Sequence, residues 1–166
     1  MKPAVGVIGL GIMGGAMAEA LLAAGYKVCG YDPSSAAQRR FKKAGGKLLG
    51  SAAAVARNAN VVIMSLATVR ALKAVTDEVA AAKSTRKPIV IETSTLPIAD
   101  KERTAAAFAR AGMRTLAEDG RRLVMEGVTT IEEVLSVTTV HEMAEDAAKP
   151  KPDADEVPLP PAGHAR

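Results

Sequence analysis

Gly9-Leu10-Gly11-Ile12-Met13-Gly14 is the stretch of this 166-residue sequence that decides the fold. Its glycines follow the spacing GxGxxG. The short apolar run Ala4–Ile8 precedes the stretch, and an alanine-rich run continues from it to Ala24 and ends at Gly25. The first run predicts a buried strand, and the second predicts a helix with a C-terminal glycine. We therefore expect the three glycines to form the turn between the first strand and the first helix.

Each glycine of this turn has its own physical reason. Gly9 permits the tight turn out of the strand, Gly11 lets a phosphate approach the backbone, and Gly14 allows close packing of the helix on the sheet. The N-terminus of that helix offers free N–H groups and the positive end of the helix dipole. In this strand–turn–helix context the spacing predicts a site for the pyrophosphate of a dinucleotide. The predicted binding loop comprises Gly9, Leu10, Gly11, Ile12, Met13 and Gly14.

An acidic residue completes the dinucleotide pattern. Asp32 stands 18 residues after Gly14, at the end of the second predicted strand, Lys27–Tyr31. Its carboxylate is expected to accept hydrogen bonds from the adenosine ribose hydroxyls and to repel a 2′-phosphate, which favours NAD. NADP remains the alternative, because four basic residues follow on the next helix: Arg39, Arg40, Lys42 and Lys43. A solvent-exposed helix face is the simpler interpretation of those four.

Strand and helix patterns alternate along the first two thirds of the chain. Apolar runs at Val61–Met64 and Pro88–Glu92 predict further strands, and helical runs separate them. Such alternation is typical of right-handed βαβ units on a parallel sheet covered by helices on both faces. The sequence therefore predicts the α/β class, with a Rossmann-type doubly wound parallel sheet over residues 1–112.

The chain changes character after Gly112. Met113–Leu116 reads as one more short strand, Glu118–Glu126 as a helix ended by Gly127, and Thr130 with Glu133 as a capping box. Residues 113–140 are accordingly predicted to form a short helical segment. Pro, Asp, Glu and Ala dominate residues 141–166, which predicts a disordered tail.

Composition limits the partners. The net charge of +4 divides into −3 for residues 141–166, which hold six acids and three bases, and +7 for the rest. A basic body suits an anionic small molecule, and with only 2% aromatic residues there is no pattern of basic and stacking side chains typical of nucleic-acid binding. No apolar run is long enough for a membrane span. The single cysteine, Cys29, suits a reducing compartment, so we expect a cytoplasmic protein. We expect no nucleic-acid partner, no membrane partner and no metal site.

The residues up to about Met113 resemble a known family. GLGIMGGAMAEALLAAGYKVCGYDPS, together with Met64-Ser65-Leu66 and Glu92-Thr93-Ser94-Thr95-Leu96-Pro97, is similar to the NAD(P)-binding domain of the 3-hydroxyisobutyrate and 6-phosphogluconate dehydrogenase superfamily. The resemblance implies that Ser65 and Leu66 line the cofactor cleft, and that Ser94 and Thr95 lie near the nicotinamide. An N-cap role before the helix begun by Pro97 is the equal alternative for those two hydroxyls.

The family's catalytic parts are not found in this sequence. Where the resemblance implies a glycine-containing substrate loop the chain reads Ala117-Glu118-Asp119-Gly120-Arg121-Arg122, and no helix with the family's catalytic lysine follows. We therefore assign no catalytic residue and expect cofactor binding without independent catalysis. A domain face left uncovered would promote self-association.

Residues 112–138 carry a second resemblance. GMRTLAEDGRRLVMEGVTTIEEVLSVT is similar to the C-terminal end of type II secretion and type IV pilus assembly ATPases, without a Walker A sequence. This resemblance implies the alternatives to a dinucleotide-binding domain. They are a non-enzymatic interaction protein linked to such a segment, or a gene fusion without function.

Overall fold

A computed structural model describes residues 2–82, 84–85 and 88–138. The chain divides into two units, Met1–Met113 and Arg114–Arg166. The predicted disordered tail, residues 141–166, lies outside the described residues. In the described part no helix is long and apolar enough to cross a membrane.

A parallel five-stranded sheet forms the centre of the first unit. The strand order is β3-β2-β1-β4-β5, and every neighbouring pair is parallel. The chain thus builds outward from β1 on one side and then crosses to β4 on the other side. The strands are β1 (Val5–Ile8), β2 (Val28–Tyr31), β3 (Lys47–Leu48), β4 (Val61–Met64) and β5 (Ile89–Glu92).

Helices connect the strands and cover both faces of the sheet. Side-chain oxygens cap three of them: Ser34 caps α2, Ser51 caps α3 and Thr68 caps α4. These caps satisfy N–H groups that the first helical turn cannot satisfy internally. The helices of this unit are α1 (Ile12–Ala23), α2 (Ser35–Lys43), α3 (Ala52–Asn58), α4 (Val69–Ala80) and α5 (Ile98–Arg110).

Strand side chains alternate between two apolar cores. On one face Val7 and Leu10 pack with Ala18 of α1 and Phe41 of α2. On the other face Ile8 packs with residues of α3, α4 and α5, including Val55, Leu72, Val75 and Phe108. This arrangement confirms the predicted α/β class and the doubly wound parallel sheet.

The second unit contains helix α6 (Leu116–Met125) and helical residues 131–138. Within it Gly120 faces Val134, and a Cβ at Gly120 would lie 2.6 Å from a Val134 methyl group. Gly127 has a φ of 70° and lies directly after the end of α6. The glycines therefore let two short helices pack closely and let the chain turn between them.

Two local expectations differ from the structure, and one strand was missed. The edge strand β3 was not predicted, because it has two residues only. The predicted strand Met113–Leu116 is wrong, because the Thr115 hydroxyl caps α6 and Leu116 begins that helix. The complete capping box is formed by Thr115 and Glu118. The predicted N-cap is confirmed at Thr130, whose hydroxyl accepts from the Glu133 N–H, but the carboxylate of Glu133 accepts from the Thr129 hydroxyl instead of reaching back to Thr130.

Candidate dinucleotide-binding site

The register of the sheet gathers four loops at one edge. Ile8 pairs with both Tyr31 and Met64, and Met64 pairs with Glu92, so four strands end level with one another. The residues that follow them are Gly9, Asp32, Ser65 and Thr93. Because β1 lies between β2 and β4, these loops meet where the strand order reverses. Ligands of open α/β sheets bind in the crevice at such a switch point.

Two glycines of the loop are required by the fold itself. Gly9 has a φ of 89°, and a Cβ there would lie 2.1 Å from the Ser65 carbonyl oxygen. A Cβ on Gly14 would lie 1.8 Å from the Gly9 carbonyl oxygen. Real Cβ atoms do not approach backbone oxygens so closely. The turn after β1 therefore packs closely against the start of α1 and against Ser65, the residue that follows β4.

Gly11 differs from its neighbours. It is the N-cap of α1 with an ordinary φ of −64°, and a Cβ there would meet nothing within 4 Å. No side chain caps this helix, and its first turn holds no acidic residue. Ile12 and Met13, in that first turn, are 89% and 64% exposed. The N–H groups at this helix start consequently face open space with a positive dipole end behind them.

Asp32 connects the loop that follows β1 with the loop that follows β2. Its Oδ2 accepts a hydrogen bond of 2.7 Å from the Leu10 N–H, and its Oδ1 accepts one of 2.7 Å from the Ser34 N–H. The Gln38 amide also donates to the Asp32 carbonyl oxygen. Each carboxylate oxygen retains a second lone pair for another donor. The Leu10 side chain is 1% exposed and belongs to the core, so Leu10 acts here through its backbone.

The predicted residues on the β4 and β5 side also meet. The buried Ser94 hydroxyl accepts a hydrogen bond of 2.8 Å from the Leu66 N–H. The Thr93 hydroxyl donates to the Met64 carbonyl oxygen, while Thr95 is exposed. The N-cap of α5 is Pro97, without a side-chain hydrogen bond. The N-cap alternative for Ser94 and Thr95 is therefore wrong.

An ion pair that was not predicted stabilises the loop that follows β5. Glu92 Oε1 accepts a hydrogen bond of 2.7 Å from the Ser94 N–H, and Glu92 Oε2 lies 3.1 Å from Lys101 Nζ. Oε2 is buried and lacks a partner of hydrogen-bond geometry, so its attraction to the ammonium is chiefly Coulombic. The two residues are separated by a turn between strand and helix. No periodic sequence signal relates residues placed in this way.

The donors and acceptors at this edge fit a dinucleotide. The N–H groups at the start of α1 suit a pyrophosphate, Gly11 leaves the space that a phosphate needs, and Asp32 retains acceptors for ribose hydroxyls. A metal has no comparable set of ligands, since the described residues include no cluster of three or more His, Cys, Asp or Glu side chains suited to one.

A second depression lies away from this edge. A groove of about 450 Å³ runs between α4 and α5 and is floored by the buried Thr76 and Thr104, whose hydroxyls are 3.4 Å apart. Lys73, Asp77 and Arg103 belong to its walls. The groove lies on the outer helical layer, while the parallel-sheet geometry directs ligands to the strand ends. The strand ends are therefore the candidate dinucleotide site.

Comparison with known proteins identifies relatives of the first unit. Residues 4–118 match the family described as the NAD binding domain of 6-phosphogluconate dehydrogenase. The chain is 34% identical over 122 residues to L-threonate dehydrogenase of Cupriavidus necator, covering 72% of this chain and 38% of that protein. It is 36% identical over 104 residues to the mitochondrial 3-hydroxyisobutyrate dehydrogenase of Homo sapiens, covering 61% and 31%.

A solved structure agrees with these matches. The 3-hydroxyisobutyrate dehydrogenase of Mycobacterium tuberculosis, in a structure with L-serine, superimposes with a TM-score of 0.64 at 30% identity, covering 68% of this chain and 38% of that one. The chain thus spans 31% to 38% of the length of these relatives. Neither the family match nor these relatives support the resemblance of residues 112–138 to secretion and pilus ATPases.

Proposed function

We propose that this chain, which belongs to the family of the NAD binding domain of 6-phosphogluconate dehydrogenase, binds NAD in preference to NADP at the strand-end site. Membership of the family carries NAD(P) binding, and the preference for NAD is the proposal's finer part. The observation that supports it most directly is the combination of an uncapped α1, open space at Gly11 and an acidic side chain at the end of β2.

In this proposal the two halves of the dinucleotide bind on opposite sides of β1. The N–H groups at the start of α1, around Gly11, Ile12 and Met13, hold the pyrophosphate. Asp32 on the β2 side holds the adenosine ribose. The loops after β4 and β5, with Ser65, Leu66, Ser94 and Thr95, border the nicotinamide half.

The preference for NAD follows from charge. A phosphate on the ribose 2′-oxygen would bring two negative charges toward the Asp32 carboxylate. That carboxylate is held in place by the Leu10 and Ser34 N–H groups, so it cannot turn away without losing both hydrogen bonds. Like charges at contact distance in a partly buried site repel strongly.

The class of reaction comes from the relatives. A bound nicotinamide dinucleotide supplies a hydride acceptor or donor, and the names of the relatives denote dehydrogenases of small hydroxycarboxylates. We propose that this domain serves a dehydrogenase of that class. Proton transfer from a substrate hydroxyl needs a base beside the substrate, and the residues that carry the family resemblance include no counterpart of the family's catalytic lysine. Binding without turnover is therefore the activity that we expect of the 166-residue chain.

Thermal unfolding with NAD, NADH, NADP and NADPH tests this proposal. A ligand that binds only the folded state stabilises it by about 2.7 kcal/mol at roughly 100 times its dissociation constant. We expect NAD and NADH to raise the Tm more than their phosphorylated counterparts, and Gly11→Trp to abolish the shift. A cooperative transition that no dinucleotide moves would refute cofactor binding. Equal shifts with NADH and NADPH would refute the preference.

Self-association is a second part of the proposal, and exposed apolar side chains favour it. Ile89 and Ile91 of the edge strand β5 are 65% and 44% exposed. They pair with Val61 and Ile63, which are half-buried on the same face of the sheet. We call these four residues the β5 patch. An apolar patch beside an open strand edge is a common site of association between chains.

A cytoplasmic location is the last part of the proposal. It is supported by Cys29, the one cysteine of the chain. Burial raises the pKa of the Cys29 thiol, so the reactive thiolate is disfavoured. A buried thiol of this kind suits a reducing compartment. Fractionation of cells that produce the full chain tests this location.

A further inference from the structure

A network of four residues crosses from α5 to the cofactor cleft. Lys101 of α5 pairs with Glu92 at the end of β5, and Glu92 accepts the Ser94 N–H. The Ser94 hydroxyl in turn accepts the Leu66 N–H in the loop after β4. The network therefore ties together two loops that border the proposed nicotinamide half of the site.

Burial distinguishes this network from surface hydrogen bonding. Ser94 is 5% exposed, and the side chain of Glu92 is 15% exposed. A buried N–H that loses its acceptor suffers the full desolvation penalty, and a buried carboxylate that loses its cation suffers a larger one. The positions of the Ser94 and Leu66 backbones are consequently set by these groups.

The same loop also touches the glycine turn. The Ser65 N–H donates a hydrogen bond of 2.9 Å to the Ile8 carbonyl oxygen, and the Ser65 carbonyl oxygen is the atom that a Cβ on Gly9 would strike. A shift of Leu66 would therefore displace the wall of the cleft on the β4 side of β1. Asp32, on the opposite side of β1, has no bond to this network.

We infer that Lys101, Glu92 and Ser94 are positioning residues, which hold the loop at Leu66 in the shape required by the nicotinamide half of the dinucleotide. The inference rests on the proposed function. The three residues act through the backbone of Leu66 and not by touching the cofactor. Ser94 thereby has a role different from the nicotinamide contact that the resemblance implies.

Two ligands separate positioning from general stability. NADH carries both halves of the dinucleotide, whereas ADP-ribose has the same pyrophosphate and adenosine but lacks nicotinamide. ADP-ribose also keeps the second ribose, so the ratio of the two dissociation constants, measured by calorimetry on the full chain, reports the contacts of the nicotinamide ring. Long-range effects of charge and partial loss of folded protein cancel in this ratio. The fluorescence of bound NADH gives a second readout of the nicotinamide environment.

We expect Ser94→Ala and Lys101→Met each to weaken NADH binding about fivefold or more, with a change below about twofold for ADP-ribose. Lys101→Arg keeps the cation and should restore most of the NADH affinity. Thr104→Val is the matched control, because it removes a buried hydroxyl from the same helix at a place that faces α4. It should leave the ratio unchanged.

Each outcome decides one question. Failure of the unmodified chain to bind either ligand would refute the proposed function itself. Normal binding by the unmodified chain, with an unchanged ratio in the variants, would refute the positioning role. If Ser94→Ala does not fold, Lys101→Met decides alone, because Lys101 is 38% exposed and its replacement leaves the core intact.

Discussion

At the scale of single residues, the three glycines of the binding loop differ in what they do. Gly9 and Gly14 have backbone oxygens about 2 Å from the position of a Cβ, so any side chain there disrupts the turn. Gly11 has an ordinary φ and open space, so the folded chain itself does not require glycine at this position. In the proposed function, glycine at residue 11 leaves the space that the pyrophosphate occupies. This difference allows stability and binding to be separated by mutation.

Gly11→Ser is expected to leave stability unchanged within about 0.5 kcal/mol, since serine caps a helix at least as well as glycine. The hydroxyl would occupy the space above α1 and bond its N–H groups, so NADH binding should weaken about tenfold or more. Thermal unfolding and calorimetry measure the two effects. Ala23→Ser adds the same hydroxyl at the exposed far end of α1 and should change neither quantity. Unchanged NADH affinity in Gly11→Ser would place the pyrophosphate elsewhere.

Asp32→Asn tests the basis of the cofactor preference. The asparagine amide offers one acceptor oxygen, so either the Leu10 or the Ser34 N–H loses its partner, and stability should fall by about 1–3 kcal/mol. NADH affinity should fall while the repulsion of a 2′-phosphate disappears. The ratio of NADPH to NADH dissociation constants should therefore fall about tenfold. A ratio that stays constant across this substitution would show that Asp32 does not select the cofactor. Asp77→Asn, on the outer helical layer, is the charge control.

At the scale of elements, continuous apolar runs were easier to predict than a two-residue strand or a helix start set by a capping box. β1 (Val-Gly-Val-Ile) and β4 (Val-Val-Ile-Met) are four-residue apolar runs at the centre of the sheet, and both were predicted from hydrophobicity. β3 has two residues, one exposed, so no pattern distinguishes it from a loop. Met113–Leu116 was predicted as a short strand, but Thr115 and Glu118 have the spacing of a capping box, and the helix prevails.

The same contrast holds for the site. The glycine loop and Asp32 were predictable because their spacing is a property of one strand–helix–strand unit. The Glu92–Lys101 pair and the Ser94–Leu66 hydrogen bond join groups across a turn or between different strands. Such contacts follow from sheet order and register, which the sequence does not specify residue by residue.

The start of α6 should be sensitive to acid. Hydrogen bonds from the Thr115 N–H and hydroxyl hold the pKa of Glu118 below its ordinary value. A carboxyl whose pKa is lowered by folding stabilises the folded form above its unfolded pKa, and this stabilisation is lost as the pH falls through the folded pKa. We therefore expect the protection of the Thr115 and Glu118 amides, measured against the exchange rate of an unstructured peptide at the same pH, to decrease in that acidic range. Glu118→Gln keeps the capping geometry without a titrating group and should remove the dependence. Persistence of the dependence in this variant would assign it to another carboxyl.

At the scale of the whole molecule, the sheet is covered unevenly. Core residues fill both faces near β1, where α1 and α2 lie on one side and α3 and α4 on the other. The β5 patch, on the face that carries Val7, is the place where apolar strand residues remain exposed. The proposed dinucleotide site lies at the carboxyl ends of the strands and not on this face. Association through the patch and cofactor binding should therefore be separable.

Ile89→Lys is expected to shift the chain toward monomer, because a charge on the β5 patch must be desolvated when two copies meet. Sedimentation velocity over a range of concentrations measures the shift, and NADH affinity should change by less than about twofold because Ile89 lies at the opposite end of β5 from the site. Met125→Lys introduces the same charge at an apolar side chain of the second unit that is 84% exposed. A monomeric Ile89→Lys beside an associating Met125→Lys would support the β5 patch as the interface. The reverse pattern would assign association to α6, and an unmodified chain that is monomeric at every concentration would refute self-association altogether.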